Sequence, residues 1–353
     1  MQFTNYEDLV GKRLLQSVVN SKGMMIIPTE TILSESHIDK LEKFKIETFN
    51  IHVELVTNEE VTVSVSDAPD SPKAAKANGS VKRTNALLQE IEDIVKYTGK
   101  VPIADVENFL LPTILEATKN SSIYKLFADL KAEGDFRFKH SIGVSYIAAL
   151  LGRSLKMDED EIAHLTIAAS LCDIGSIKLP HTLLHKTSEL DAGEYDMMKL
   201  HTYMGRDLLK ESALDPRAAI VAVQHHERED GSGYPQQLAG SEIHIFSKIV
   251  ALADVYVAMT SDRPQRPALP FFQVIHTVYE NILHGQFDSK IGLTFLNLLM
   301  NAQIGSEVIL SNGKKASIVL VHASNPASPL ISVDGAFIDL SKTSSLQIME
   351  IVG

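Results

Sequence analysis

The chain has 353 residues, enough for two domains or for one large domain with small attachments. Hydrophobic residues make up 44% and charged residues 22%, as in a globular protein with a substantial core, and the net charge of −12 leaves no basic surplus for broad binding to nucleic acid or anionic membranes. One cysteine permits no intrachain disulfide, and neither a leader-like start nor an apolar run of about 18 residues is evident, so the expected location is cytoplasmic without membrane insertion.

In chain order, residues 1–63 form a small accessory region. It mixes β-like runs ("SVVNSKGMMII", "TFNIHVELV") with one helix-like piece, "SESHIDKLEKF", for which Ser34 is the N-cap. Residues 64–83 are rich in Ser, Ala, Pro, Asp and Lys without apolar periodicity, which predicts a linker. From 84 to 302 the pattern is helical. His140, Val144, Ile147 and Leu151 share one stripe, and Met197, His201, Met204 and Leu208 another. Asp215-Pro216 reads as N-cap and first helical residue. Residues 303–353 read as a β-rich tail, with a hairpin turn at Ser311-Asn312-Gly313 and a Pro-containing turn at "SNPASPL".

Several polar residues interrupt apolar helices. Asp254 lies within "IFSKIVALADVYVAM", a segment apolar on nearly every face, and a buried carboxylate there needs a cation, a metal or several donors. Asp173 ends another apolar run. His225 and His226 close a helix before a Gly-rich loop, and His140 and His201 each sit in an apolar stripe. Each has an ordinary reading: a hydrogen-bonded core histidine, a helix cap at His225 and His226, a cap at Asp173, an arginine partner for Asp254. Together, four histidines and two aspartates on successive buried helices point to a metal site for Zn, Mn or Fe(II), with carboxylates able to bridge two ions. His52, His164, His181, His185, His244, His276, His284 and His322 lie in polar or loop-like surroundings and receive no role.

"HHEREDGSGYP", followed by "IVALADVYVAMTSDRPQR", closely resembles the HD-GYP family of the HD superfamily, whose members hydrolyse cyclic di-GMP. The likeness covers about 130–270 strongly. It implies a mainly α fold, an HD-superfamily helical bundle with a small α/β-like N-terminal region and a short β-rich C-terminal tail. By position, His140, Asp173, His201, His225, His226 and Asp254 match the family's metal ligands, Asp173 as the bridge. Gly233, Tyr234 and Pro235 match its signature loop, and Arg263 and Arg266 its phosphate-holding residues. The resemblance implies metal-dependent hydrolysis of the cyclic dinucleotide through two ions of Fe, Mn or Zn, or no metal if the site is dead. The implied partners are cyclic di-GMP, a protein at the signature loop and a second copy in a homodimer, with neither DNA nor RNA.

The departures fall at the centre. The family's histidine is Cys172 here, its lysine is Ser176, a glutamate of some members is Phe136, and a commonly aromatic position is Gln265. Cys172 reads either as a thiolate ligand of doubtful geometry or as a small buried residue that fills space. The alternative function is therefore a catalytically silent signalling protein that binds cyclic di-GMP or a protein partner.

Overall fold

The computed structural model describes residues 73–120, 136–262, 267–343 and 345–352, short stretches of the first 55 residues, and Ile123 and Leu130. Ser34, Arg263, Gln265, Arg266 and the side chain of Phe136 lie outside the described residues. The chain divides into two compact units, Met1–Ser71 and Pro72–Gly353.

In the first unit, β1 (Lys12–Leu14) pairs antiparallel with β4 (Val53–Leu55), and β2 (Val18–Val19) with β3 (Met25–Ile27). Leu9, Leu14, Ile27, Leu33 and Leu41 form its small core.

The second unit begins with α1 (Lys73–Thr98). The segment expected as linker up to residue 83 is therefore helical from Lys73. Its Ala and Lys favour a helix intrinsically, although they carry no apolar stripe. A π-helical turn at Val106–Leu110 leads into α2 (Leu111–Asn120). Next come α3 (Phe136–Ser154), α4 (Glu159–Ser170), a 3-10 turn (Ile174–Lys178), α5 (His181–Leu184), α6 (Ala192–Lys210) and α7 (Pro216–Gln224). Then follow α8 (Ile245–Thr260), α9 (Phe271–Leu283) and α10 (Ser289–Asn301). Among the described residues no helix is long and apolar enough to cross a membrane.

Helix α3 packs on α4 and α8, and α7 on α6 and α4. Ile142, Val144, Ile147 and Leu151 of α3 and Ile249, Val250, Leu252 and Ala253 of α8 are fully buried. The stripe expected on α6 holds at His201 and Leu208, but Met197 is exposed and Met204 half-buried. The first turns of α6 extend beyond the core, so apolar spacing alone overstates the burial there.

Helix α7 starts as its sequence requires. Asp215 accepts a hydrogen bond from the backbone N–H of Arg217 at 2.8 Å, and Pro216 occupies the first turn. The Arg217 guanidinium also donates to Asp215 and holds its carboxyl at about 2, below the ordinary 3.8. A carboxyl depressed on folding stabilises the folded state fully above its unfolded value, and that contribution is lost as pH falls through the folded value. Asp215→Ala is expected to cost about 1 kcal/mol in urea unfolding at neutral pH, with the deficit shrinking as pH falls from 3.8 toward 2.

The C-terminal sheet runs β8-β7-β6-β5-β9, all antiparallel: β5 (Glu307–Leu310), β6 (Lys315–His322), β7 (Asn325–Val333), β8 (Ala336–Asp339) and β9 (Ile348–Val352). Val308, Leu310, Ala316, Ile318, Ile331 and Val333 alternate onto its inner face and join the core of the helices. The tail is thus packed on α9 and α10 within the same compact unit. The turn at Ser311-Asn312-Gly313 forms as expected, with Gly313 at φ 78°. The "SNPASPL" segment differs: the chain turns at Ala323-Ser324, and Asn325–Val333 is a strand. Pro326 and Pro329 are tolerated because β8 pairs only with Leu330–Val333 and the β6 pairing is irregular beside them.

Candidate metal centre

The site lies where α3, α6, α7 and α8 converge around the turn after α4. Asp173 is the residue immediately before the 3-10 turn, yet its side chain makes no capping bond. The carboxylate faces three histidines. Its Oδ1 lies 3.3 Å from His201 Nε2 and 3.4 Å from His225 Nε2, and its Oδ2 lies 4.0 Å from His140 Nε2. The turn can bring it there because Gly175 has no side chain: a Cβ would stand 2.0 Å from the His201 carbonyl oxygen and 2.3 Å from Gly205 N.

Two donor groups share Asp173. One is Asp173, His201, His225 and His226; the other is His140, Asp173 and Asp254. His140 Nε2 lies 2.7 Å from Asp254 Oδ1, and His226 Nδ1 lies 3.6 Å from Asp254 Oδ2. All six residues placed by sequence therefore meet in one place, and Asp254 is partnered by histidine rather than arginine. Among the described residues the other histidines are outside both groups. His164 pairs with Asp215, His322 pairs with Asp339, and His181 stacks on His185.

Backbone contacts define how the rings are presented. His201 Nδ1 meets the Met198 carbonyl oxygen, and His225 Nδ1 meets the Ala222 carbonyl oxygen at 3.0 Å. Those acceptors favour a proton on each Nδ1 and turn both Nε2 atoms toward Asp173. The two Nε2 atoms are 3.4 Å apart, with Asp173 Oδ1 beside both. Three lone-pair donors facing one another repel unless a cation or a proton sits among them. The donor set therefore fits a divalent cation.

Burial opposes charge on Asp173, but hydrogen bonds from His201 and His225 outweigh it and hold the carboxyl well below its usual range. Burial likewise opposes charge on Asp254, and His140 and His226 overcome it. Burial, reinforced by His225, pushes His226 well below the ordinary imidazole value. His226 thus stays in the neutral form that ligates metals.

Cys172 is fully buried in the apolar core and belongs to neither donor group. Burial and the neighbouring Asp173 and Asp254 push its thiol up, which keeps it protonated.

The loop after His226 closes the site. Tyr234 lies over the His226 ring at 4.6 Å and meets Tyr195 edge-on at 6.1 Å. Burial and the nearby Asp254 raise its phenol, so it remains neutral. Gly233 is required by close approach, since a Cβ would fall 2.5 Å from His226 O and Arg228 N. One residue that matters here carries no signal in sequence reasoning. Glu227 is 1% exposed, and its two oxygens accept the backbone N–H groups of Gln236 at 2.7 Å and Leu238 at 3.1 Å. It ties the far side of the loop to the end of α7. In Glu227→Gln an amide nitrogen replaces one of those acceptors and leaves a donor facing a donor. We expect a loss of about 1–3 kcal/mol and faster amide exchange at Gln236 and Leu238, read by hydrogen-exchange mass spectrometry.

Fold and site together define an HD domain. Residues 119–291 match the family model described as the HD domain, and Cys172-Asp173 stands where the sequence resemblance places the His-Asp pair. It is 29% identical over 205 residues to a cyclic di-GMP phosphodiesterase of Pseudomonas aeruginosa, covering 58% of this chain and 49% of that protein. It is 32% identical over 171 residues to 3'3'-cGAMP-specific phosphodiesterase 1 of Vibrio cholerae, covering 48% and 40%. The chain spans half or less of the length of these two relatives. An HDG"Y"P protein from Bdellovibrio bacteriovorus shares the fold, with a TM-score of 0.53 at 14% identity, covering 82% of this chain and 96% of that one.

Proposed function

We propose that this chain is a cytoplasmic, metal-dependent phosphodiesterase that opens a cyclic dinucleotide, cyclic di-GMP in the first instance. The observation that carries the reading is the convergence at Asp173: His201 and His225 Nε2 lie 3.4 Å apart, and one carboxylate oxygen lies 3.3 and 3.4 Å from them. Relatives that match over the same region are phosphodiesterases of cyclic di-GMP and of 3'3'-cGAMP, which supports a cyclic dinucleotide substrate.

Bound divalent cations supply Lewis acidity at the phosphate and a water acidic enough to attack phosphorus near neutral pH. The residues of the chain do the rest. Asp173 lies between the two donor groups, and His140, His201, His225, His226 and Asp254 complete them. Tyr234 borders the site as a neutral phenol that can donate a hydrogen bond to substrate. Arg263 and Arg266 hold the phosphates by fixed charge.

A second reading is favoured by two features, the serine at 176 and the core-facing cysteine at 172. In that reading the chain binds cyclic di-GMP without turnover and signals to a protein partner at the Gly233-Tyr234-Pro235 loop or through a homodimer.

The test is to incubate the purified full chain with Mn²⁺ and either cyclic di-GMP or 3'3'-cGAMP and separate the products by chromatography. We expect linear dinucleotide from cyclic di-GMP, abolished by chelator. Binding of cyclic di-GMP by calorimetry with no linear product would replace the first reading with the second. Preferential opening of 3'3'-cGAMP would change the substrate.

A further inference from the structure

The two donor groups are unequal in number and in kind. The first offers three imidazoles and one carboxylate, four ligand atoms, a complement that would suit Zn or Fe. The second offers one imidazole and two carboxylates, one of them shared. Cys172 is the neighbour of Asp173 in sequence, but it cannot make up the difference as placed. Its side chain is 0% exposed among apolar residues, and its sulfur lies outside the set of mutually close donor atoms.

We propose that the chain holds one metal tightly at Asp173, His201, His225 and His226, and a second loosely at His140, Asp173 and Asp254. The second position takes oxygen-preferring ions such as Mn²⁺ or Mg²⁺ and exchanges them freely. The inference rests on the metal-binding reading above and adds to it a division of labour. The nitrogen-rich position is resident. The oxygen-rich position fills according to the free concentration of the ion, so the centre responds to its supply. Nitrogen ligands favour the later first-row ions, whereas carboxylates and water suit Mn²⁺ and Mg²⁺, which sets the preference of each position. The weaker position is short of a protein ligand. Loss of even an outer partner of a ligand typically weakens a metal site 10–100-fold, so a separation of about 100-fold between the two affinities is expected.

The test uses the purified full chain, dialysed against metal-free buffer, with metal counted by plasma mass spectrometry and Mn²⁺ uptake followed by calorimetry and electron paramagnetic resonance. The expected result is close to one retained transition-metal ion per chain and a second, weaker Mn²⁺ event. Cys172→Ala, which removes only a core thiol, is expected to leave both unchanged. Cys172→His is expected to tighten the second event if it folds. Two ions of equal affinity in the unaltered chain would overturn the inference and leave the metal reading standing. Loss of an ion in Cys172→Ala, or a metal–sulfur distance in X-ray absorption, would overturn it by making the thiol a ligand. A chain that takes up no ion at all would overturn the metal reading itself.

Discussion

Replacing Asp173 by asparagine is expected to remove metal retention and to lower hydrolysis of cyclic di-GMP by about 1,000-fold or more, because loss of an outer-shell partner alone commonly costs 10–100-fold and this residue lies in both donor groups. Asparagine keeps the shape and one carbonyl oxygen but loses the charge and the second acceptor oxygen. Asp173 Oδ1 serves the His201 and His225 side, and Oδ2 the His140 side. One substitution therefore reaches both positions, which no other donor in the site does. The measurement pairs metal content with single-turnover hydrolysis at saturating Mn²⁺, and a circular dichroism melt checks the fold. A folded, metal-free and inactive variant is the expected outcome. A variant that keeps its metal and more than about a tenth of the rate would remove Asp173 from the centre of the chemistry.

What made this site readable from sequence was cost. Asp254 and His201 lie among residues that are otherwise apolar, and a helix does not bury such groups without partners. That argument singled out all six residues that the structure brings together, because each lies in or beside an element whose apolar pattern is plain. It could not say which way Cys172 points. Asp173 faces the histidines and Cys172 the core because both lie in the turn between the end of α4 at Ser170 and the 3-10 turn that starts at Ile174, a change of pitch that no periodicity reports. Glu227 was unreadable for a related reason, since its partners are backbone N–H groups nine and eleven residues later in a loop without repeat. The start of α1 is not legible in the sequence because Ala and Lys make a helix without an apolar face, and neither is β7, because Pro326 and Pro329 signal a turn wherever neighbouring strands are not known.

Ser176→Lys is expected to raise the turnover rate by about 100-fold, the reciprocal of what removing one transition-state donor usually costs. The argument is geometric. Asp173 immediately precedes a 3-10 turn, the Ser176 N–H donates to the Asp173 carbonyl at 2.9 Å, and three residues per turn places side chains three apart on one face. A lysine at 176 would rise beside Asp173, while the half-buried serine places no charge there. Lys178 is no substitute: two residues further round the same turn it points elsewhere, and it is exposed. A fixed cation near the reacting phosphate stabilises the charge that develops on its oxygens, so the gain should appear in kcat more than in KM. An unchanged kcat in Ser176→Lys, together with a raised kcat in Cys172→His, would place the limitation in the second metal position instead. If neither variant turns over substrate while cyclic di-GMP still binds, the protein reads the nucleotide without cutting it.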